Sequence, residues 1–110
     1  MPVKGIGVDI EDISRFKRKP YTQNKTFYEK IFTSNEIKYC LSKSESYQHF
    51  TARFCAKEAF IKAINKDIKD YYEIEIIMKN NKPRIKFNEK EFLLSMSHDK
   101  NKAVAFVVIV

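Results

Sequence analysis

Hydrophobic positions alternate from Val3 to Ile10, as in a strand, with Ile6, Val8 and Ile10 on one side and Gly5, Gly7 and Asp9 on the other. Two glycines beside a carboxylate leave the second side nearly bare, open to a ligand or to another stretch of backbone. Asp12 is placed to cap a short helix through Ile13, Arg15 and Phe16 that Pro20 stops. Phe27 to Ile31 reads as a helical turn. Thr33 or Ser34 caps the next helix, with Glu36 in its first turn, and that helix carries Ile37, Tyr39, Cys40 and Leu41 to about Ser42.

The period then becomes helical over a longer stretch, from Ser46 to about Asn65. Phe50, Phe54, Ile61 and Ile64 form one apolar stripe. Ala52, Ala56, Ala59 and Ala63 form a second, nearly opposite it. A helix apolar on two sides belongs at the centre of its domain, and the alanines permit close approach of a neighbour. Thr51, Cys55, Glu58 and Lys62 occupy one gap between the stripes, and Arg53 lies across the other. Lys57 falls near the aromatic stripe, which suits a buried stem with an emergent head.

The last third alternates again. Glu73 to Lys79 and Arg84 to Phe87 pair as a hairpin around Asn80-Asn81-Lys82-Pro83. Ser95 to His98 is a short strand, Asp99 to Lys102 turns, and Ala103 to Val110 runs back. This final run is apolar on both faces, as expected of a central strand or of one buried at a subunit contact.

The length, 110 residues, predicts one domain over 1–110, and 44% hydrophobic residues supply its core. A domain this small leaves room for oligomerisation to add buried surface. Twenty-one Lys and Arg against 14 Asp and Glu give a net charge of +7, which favours an anionic partner. Cys40 and Cys55 form no metal-binding spacing and read as small buried hydrophobes in a reducing, cytoplasmic compartment. The first residues lack the apolar run of a signal peptide, and the longest apolar run, Ala103 to Val110, is too short to cross a bilayer. A soluble protein is expected.

Three segments concentrate chemistry: Gly5-Ile6-Gly7-Val8-Asp9-Ile10, the helical run Ala52 to Ala63 with Lys57-Glu58-Ala59 and Lys62, and Ser95-Met96-Ser97-His98. Their order and spacing resemble the holo-acyl-carrier-protein synthase family of 4′-phosphopantetheinyl transferases. The resemblance spans nearly the whole chain and includes Phe32-Thr33 with Glu36, Tyr39-Cys40 and the Lys82-Pro83 turn. It implies an α+β fold in which a small antiparallel sheet packs on the long central helix. It also implies transfer of the phosphopantetheine arm of coenzyme A to a serine of an acyl carrier protein, releasing adenosine 3′,5′-bisphosphate, with Mg²⁺ as cofactor.

By that resemblance Asp9 and Glu58 are the metal ligands, a sufficient pair because Mg²⁺ commonly takes only one or two carboxylates and fills its shell with phosphates and water. Taken alone, Glu58 also fits a surface pair with Lys62 four residues on. Glu58 and Lys62 are the catalytic candidates; the residues do not decide whether Lys62, Glu58 or a metal-bound water takes the serine proton. Arg53, Ser97 and His98 match the coenzyme's phosphoadenosine contacts, with Lys57, Lys82 and Pro83 as further coenzyme contacts. Arg15, Lys17, Arg18 and Lys19 form a basic patch against which an acidic carrier-protein helix would dock. Members form homotrimers with the coenzyme site between subunits, and neither nucleic acid nor membrane is expected as a partner.

The stretch Ile64-Asn65-Lys66-Asp67-Ile68-Lys69-Asp70 departs from the family, whose members carry a glycine-rich run there. Glycine would permit positive φ and close approach to a ligand. Asn65 could take its place at one position; for the rest, either coenzyme affinity is reduced or Lys66 and Lys69 bind phosphate instead. Two other readings compete. A small basic nucleic-acid-binding module would explain the charge and the 15 aromatics, but no such signature is present. A non-catalytic member of the family would explain the missing glycines.

Overall fold

The computed structural model describes residues 2–110. Its elements run β1 (Gly5–Asp12), α1 (Ser14–Lys17), α2 (Lys25–Ile31), α3 (Ser34–Leu41), α4 (Ser46–Ala63), β2 (Glu75–Lys79), β3 (Lys82–Phe87), β4 (Lys90–His98) and β5 (Lys102–Ile109). The five strands form one antiparallel sheet in the order β1-β5-β4-β3-β2, so the expected α+β class holds.

Both stripes of α4 are buried or half-buried. The alanine side lies on the sheet with Ile74, Ile85, Ala105 and Val107. Phe50 and Phe54 instead join Phe16, Tyr28 and Phe32 in an aromatic cluster under α1–α3. One helix thus carries two cores, as its two-sided pattern requires. It ends at Ala63, two residues earlier than expected.

The bare side of β1 is bare for the helix rather than for a ligand. A Cβ on Gly7 would collide with the backbone carbonyl oxygen of Ala59, and one on Gly5 with that of Ala63. Small residues on both elements bring α4 close to the strand, and that contact sets Asp9 and Glu11 against the helix. Ile6, Val8 and Ile10 consequently point outward and are more than half exposed, at 61%, 53% and 61%.

Two expectations need correction, the capping role of Asp12 and the start of the Ser95–His98 strand, while Thr33 and the Asn80-Asn81 turn stand as expected. Asp12 does not cap α1; it is the last residue of β1 and pairs with Lys102, while Ile13 holds the N-cap position with no side-chain cap. Thr33 caps α3, in a full capping box with Glu36. The strand expected over Ser95–His98 begins at Lys90, after a tight turn in which Asn88 and Glu89 both take positive φ (51° and 63°). Asn80 and Asn81 turn the β2–β3 hairpin the same way, with φ of 53° and 63°, values Asn tolerates well enough to replace glycine.

Candidate active site

The charged residues of the α4 gap meet β1 along one seam. Lys62 donates from Nζ to the Val8 carbonyl at 2.9 Å and lies 3.4 Å from Asp9 Oδ1. Asp9 Oδ2 is buried with no hydrogen-bond partner. Glu58, one turn before Lys62, accepts at Oε1 from the Tyr71 phenol, and among the described residues Oε2 receives no donor. The Tyr71 phenol is pushed up to about 12, mainly by its bond to Glu58, with the Asp9 charge adding to the effect.

Glu11 was not expected here. Two residues beyond Asp9, it faces the same way, and its side chain is 17% exposed and ion-paired to Arg15 at 3.0 Å. Burial, together with the neighbouring Asp9 carboxyl, raises its pKa to about 7. The only signal in the sequence was its even spacing from Asp9. The site is thus an acidic seam with too few positive partners. Among the described residues no three His, Cys, Asp or Glu side chains converge as a metal cage. A hard cation that keeps a mostly water and phosphate shell needs no such cage, and the unpartnered Asp9 oxygen fits one.

A cationic cluster gathers near the first turns of α4. Arg53 donates to the His49 carbonyl at 3.4 Å, and the His49 ring lies 6.0 Å from that of His98. His49 is held below its ordinary value by burial, then by Arg53, His98 and Lys43. The structure therefore brings Arg53 and His98 together and adds His49 and Lys43, which the sequence reading missed. Arg53 is less accessible than expected: it is 2% exposed, its guanidinium carbon sits 4.2 Å over the Tyr39 ring, and its Nε has no partner. Ser97 and His98 line a cavity of about 260 Å³ together with Ile10, Lys102 and Val104. Pro83 pairs in register with Met78, which lines a small pocket beside Arg53, while Lys82 is exposed at the hairpin.

Lys57 is placed differently from the expectation. Its ammonium is fully buried and donates to Glu36 at 2.7 Å, to the Ile31 carbonyl at 2.6 Å and to the Tyr71 carbonyl at 3.2 Å. Three acceptors take its three protons, leaving none for a phosphate. Burial lowers its pKa and Glu36 opposes that shift.

The basic patch splits. Arg15 lies over the Phe54 ring at 5.3 Å and lines an apolar pocket of about 330 Å³ with Phe16, Phe27, Lys30, Phe54 and Tyr71. Lys19 sits 4.3 Å over Phe27, Arg18 bonds Ser14, and Lys17 is exposed.

An acidic seam beside a cluster of cations suits cation-assisted chemistry on a phosphorylated ligand. A family model for the 4′-phosphopantetheinyl transferase superfamily matches residues 5–108. The holo-[acyl-carrier-protein] synthase of Thermodesulfovibrio yellowstonii is 42% identical, covering 97% of this chain and 98% of that protein. That of Geotalea daltonii is 38% identical, with 97% and 98% covered. Among solved structures, the Bacillus anthracis holo-(acyl-carrier-protein) synthase in complex with coenzyme A (3′,5′-ADP) superposes with a TM-score of 0.80 at 32% identity, covering 96% of this chain and 95% of that one. The chain belongs to the 4′-phosphopantetheinyl transferase superfamily, a class of enzymes.

Proposed function

We propose that the protein transfers the 4′-phosphopantetheine arm of coenzyme A to a serine of an apo acyl carrier protein, releasing adenosine 3′,5′-bisphosphate. The observation that carries the reading is the unpartnered, buried Asp9 oxygen on the seam that also holds Glu58 and Lys62. Asp9 and Glu58 are the residues that would hold Mg²⁺, which supplies charge neutralisation on the pyrophosphate and its leaving group. Lys62, half-exposed beside Asp9, is free to turn its ammonium to the transferred phosphoryl group. Arg53 and Lys43 offer positive charge to the coenzyme's 3′-phosphate and the His98 and His49 rings offer hydrogen bonds, with Ser97, Lys82 and Pro83 as further contacts of the coenzyme.

The outer face of the sheet supports assembly with further copies of the chain. Ile6, Val8 and Ile10 of β1 stand in register with Val108, Phe106 and Val104 of β5, and Leu93 of β4 continues the patch. Phe106 is 45% exposed and Leu93 46%, an apolar surface that a lone protomer would leave wet. The Ser97–His98 cavity opens at the end of this face, so a homotrimer would place coenzyme contacts at a subunit boundary. The Arg15 pocket, apolar at its floor and rimmed by Arg15 and Lys30, fits an acidic amphipathic helix of the carrier.

Incubation with coenzyme A, Mg²⁺ and an apo carrier protein, followed by intact-mass analysis of the carrier, tests the reading. Addition of one phosphopantetheine arm is the expected result. An unchanged carrier mass, with coenzyme A still bound by the protein, would instead establish a non-catalytic member of the family.

A further inference from the structure

The least expected contact in the seam is made by Tyr71, which lies beyond the glycine-free stretch in a 3-10 turn, Tyr71–Glu73. Its position is set from several sides. The turn is closed by Glu73 N donating to the Asp70 carbonyl at 3.1 Å, and the Glu73 carboxylate accepts from Asp70 N at 3.5 Å. The Tyr71 ring packs 5.7 Å from Phe54. The Tyr71 carbonyl accepts from Ile74 N at 3.0 Å and from the buried Lys57 ammonium at 3.2 Å. Lys57 is itself locked by Glu36, whose other oxygen takes the Ile76 amide at 2.8 Å.

A buried ion pair thus grips the backbone of the residue whose phenol reaches Glu58. Lys57 and Glu58 are adjacent on α4, so the same helix anchors the tyrosine and presents the carboxylate that it bonds.

We propose that Tyr71 is a positioning residue for Glu58: its phenol holds Oε1, fixes the carboxylate rotamer and keeps Oε2 turned toward the divalent cation shared with Asp9. The Glu36–Lys57 pair holds Tyr71 in place and touches no substrate. This inference rests on the reading of Glu58 as a metal ligand. Hydrogen-bonded partners of metal ligands restrict the ligand to one orientation, and their removal typically costs about 10–100-fold in metal affinity or activity. The arrangement also gives the region after α4 a function without glycine: it delivers a side chain to the carboxylate.

The test compares Tyr71→Phe, Glu58→Gln and the unaltered chain, with free Mn²⁺ counted by electron paramagnetic resonance in the presence of coenzyme A and transfer measured in parallel. Tyr71→Phe keeps the ring on Phe54 and the carbonyl on Lys57, so its thermal midpoint should match that of the unaltered chain. Its Mn²⁺ dissociation constant should rise by about tenfold or more. Its kcat should fall while KM for the carrier stays constant, a split that a looser fold would not produce. If Tyr71→Phe binds Mn²⁺ and turns over like the unaltered chain while Glu58→Gln loses both, the positioning role is overturned and Glu58 stands as a ligand. Mn²⁺ affinity unchanged in both variants would overturn the ligand assignment and the proposal together.

Discussion

Lys57 and Glu58 are consecutive on α4, yet their surroundings are opposite. Lys57 and its partner Glu36 are fully buried, and between them they bond the Ile31 and Tyr71 carbonyls and the Thr33 and Ile76 amides. Every strong donor and acceptor there has a protein partner. On the seam with β1, Asp9 Oδ2 has none, Glu58 spends one oxygen on Tyr71, and Glu11 is raised to about 7 beside Asp9. A saturated charge cluster stabilises the fold and has nothing left for a ligand. An unsaturated one carries a desolvation cost that only a ligand relieves.

The sharpest way to break this contrast is to cut each cluster. Lys57→Met leaves the Glu36 carboxylate buried and uncompensated, at a cost of about 3–5 kcal/mol. For a domain of this size that is a large share of total stability, so the thermal midpoint should fall steeply and activity should follow folding. Asp9→Asn or Glu58→Ala should do the reverse, leaving the midpoint within a few degrees while transfer drops by roughly a hundredfold or more, since metal-supplied charge stabilisation is worth several kcal/mol. Circular dichroism melts and carrier mass analysis on the same samples separate the two. A folded, fully active Asp9→Asn variant would show that the seam is not the metal site.

Glu11 gives a smaller effect with a definite sign. Its carboxyl ionises near 4.5 in the unfolded chain and near 7 in the fold. Between those values the folded protein holds a proton that the unfolded chain has released, so this group's contribution to stability declines as pH rises through the window. Melts without divalent cations should show the midpoint falling from pH 5 to pH 7. Glu11→Gln should flatten that slope while leaving the pH 5 midpoint nearly unchanged.

Much of this contrast was legible in the sequence, and the rest was hidden for physical reasons. The two-sided pattern of α4 revealed a central helix, and the Glu58 and Lys62 spacing revealed a shared face of it, to which only the family resemblance added Asp9. The same wheel could not separate Lys57 from a ligand contact, because its fate depends on Glu36, 21 residues away in the chain and brought in only by the packing of α3 on α4. Nor could alternation in β1 say which side was buried. The apolar side faces out because the two glycines let the helix backbone lie on the other, which reverses the usual burial of hydrophobic side chains. Tyr71 lay in a stretch with no period at all, positioned by backbone contacts that residue types do not announce.

Helix α1 carries both kinds of charge in one short segment and yields the smallest effect. Arg15 is committed to Glu11 and Phe54, whereas Lys17 is exposed with no ion-pair partner among the described residues. Lys17→Ala should leave stability unchanged and weaken capture of an acidic carrier by about 0.2–1 kcal/mol, a factor of roughly 1.5–5. That loss belongs to the association rate, so it should appear in kcat/KM for the carrier at low ionic strength. It should shrink as added salt shortens the screening length. Arg15→Ala should lose more and should keep part of its loss at high salt, because it also removes packing on Phe54 and the counter-charge of Glu11. Equal salt dependence in the two variants would mean that Arg15 is a docking charge like its neighbours, and that the divide between saturated and free charges does not extend to this helix.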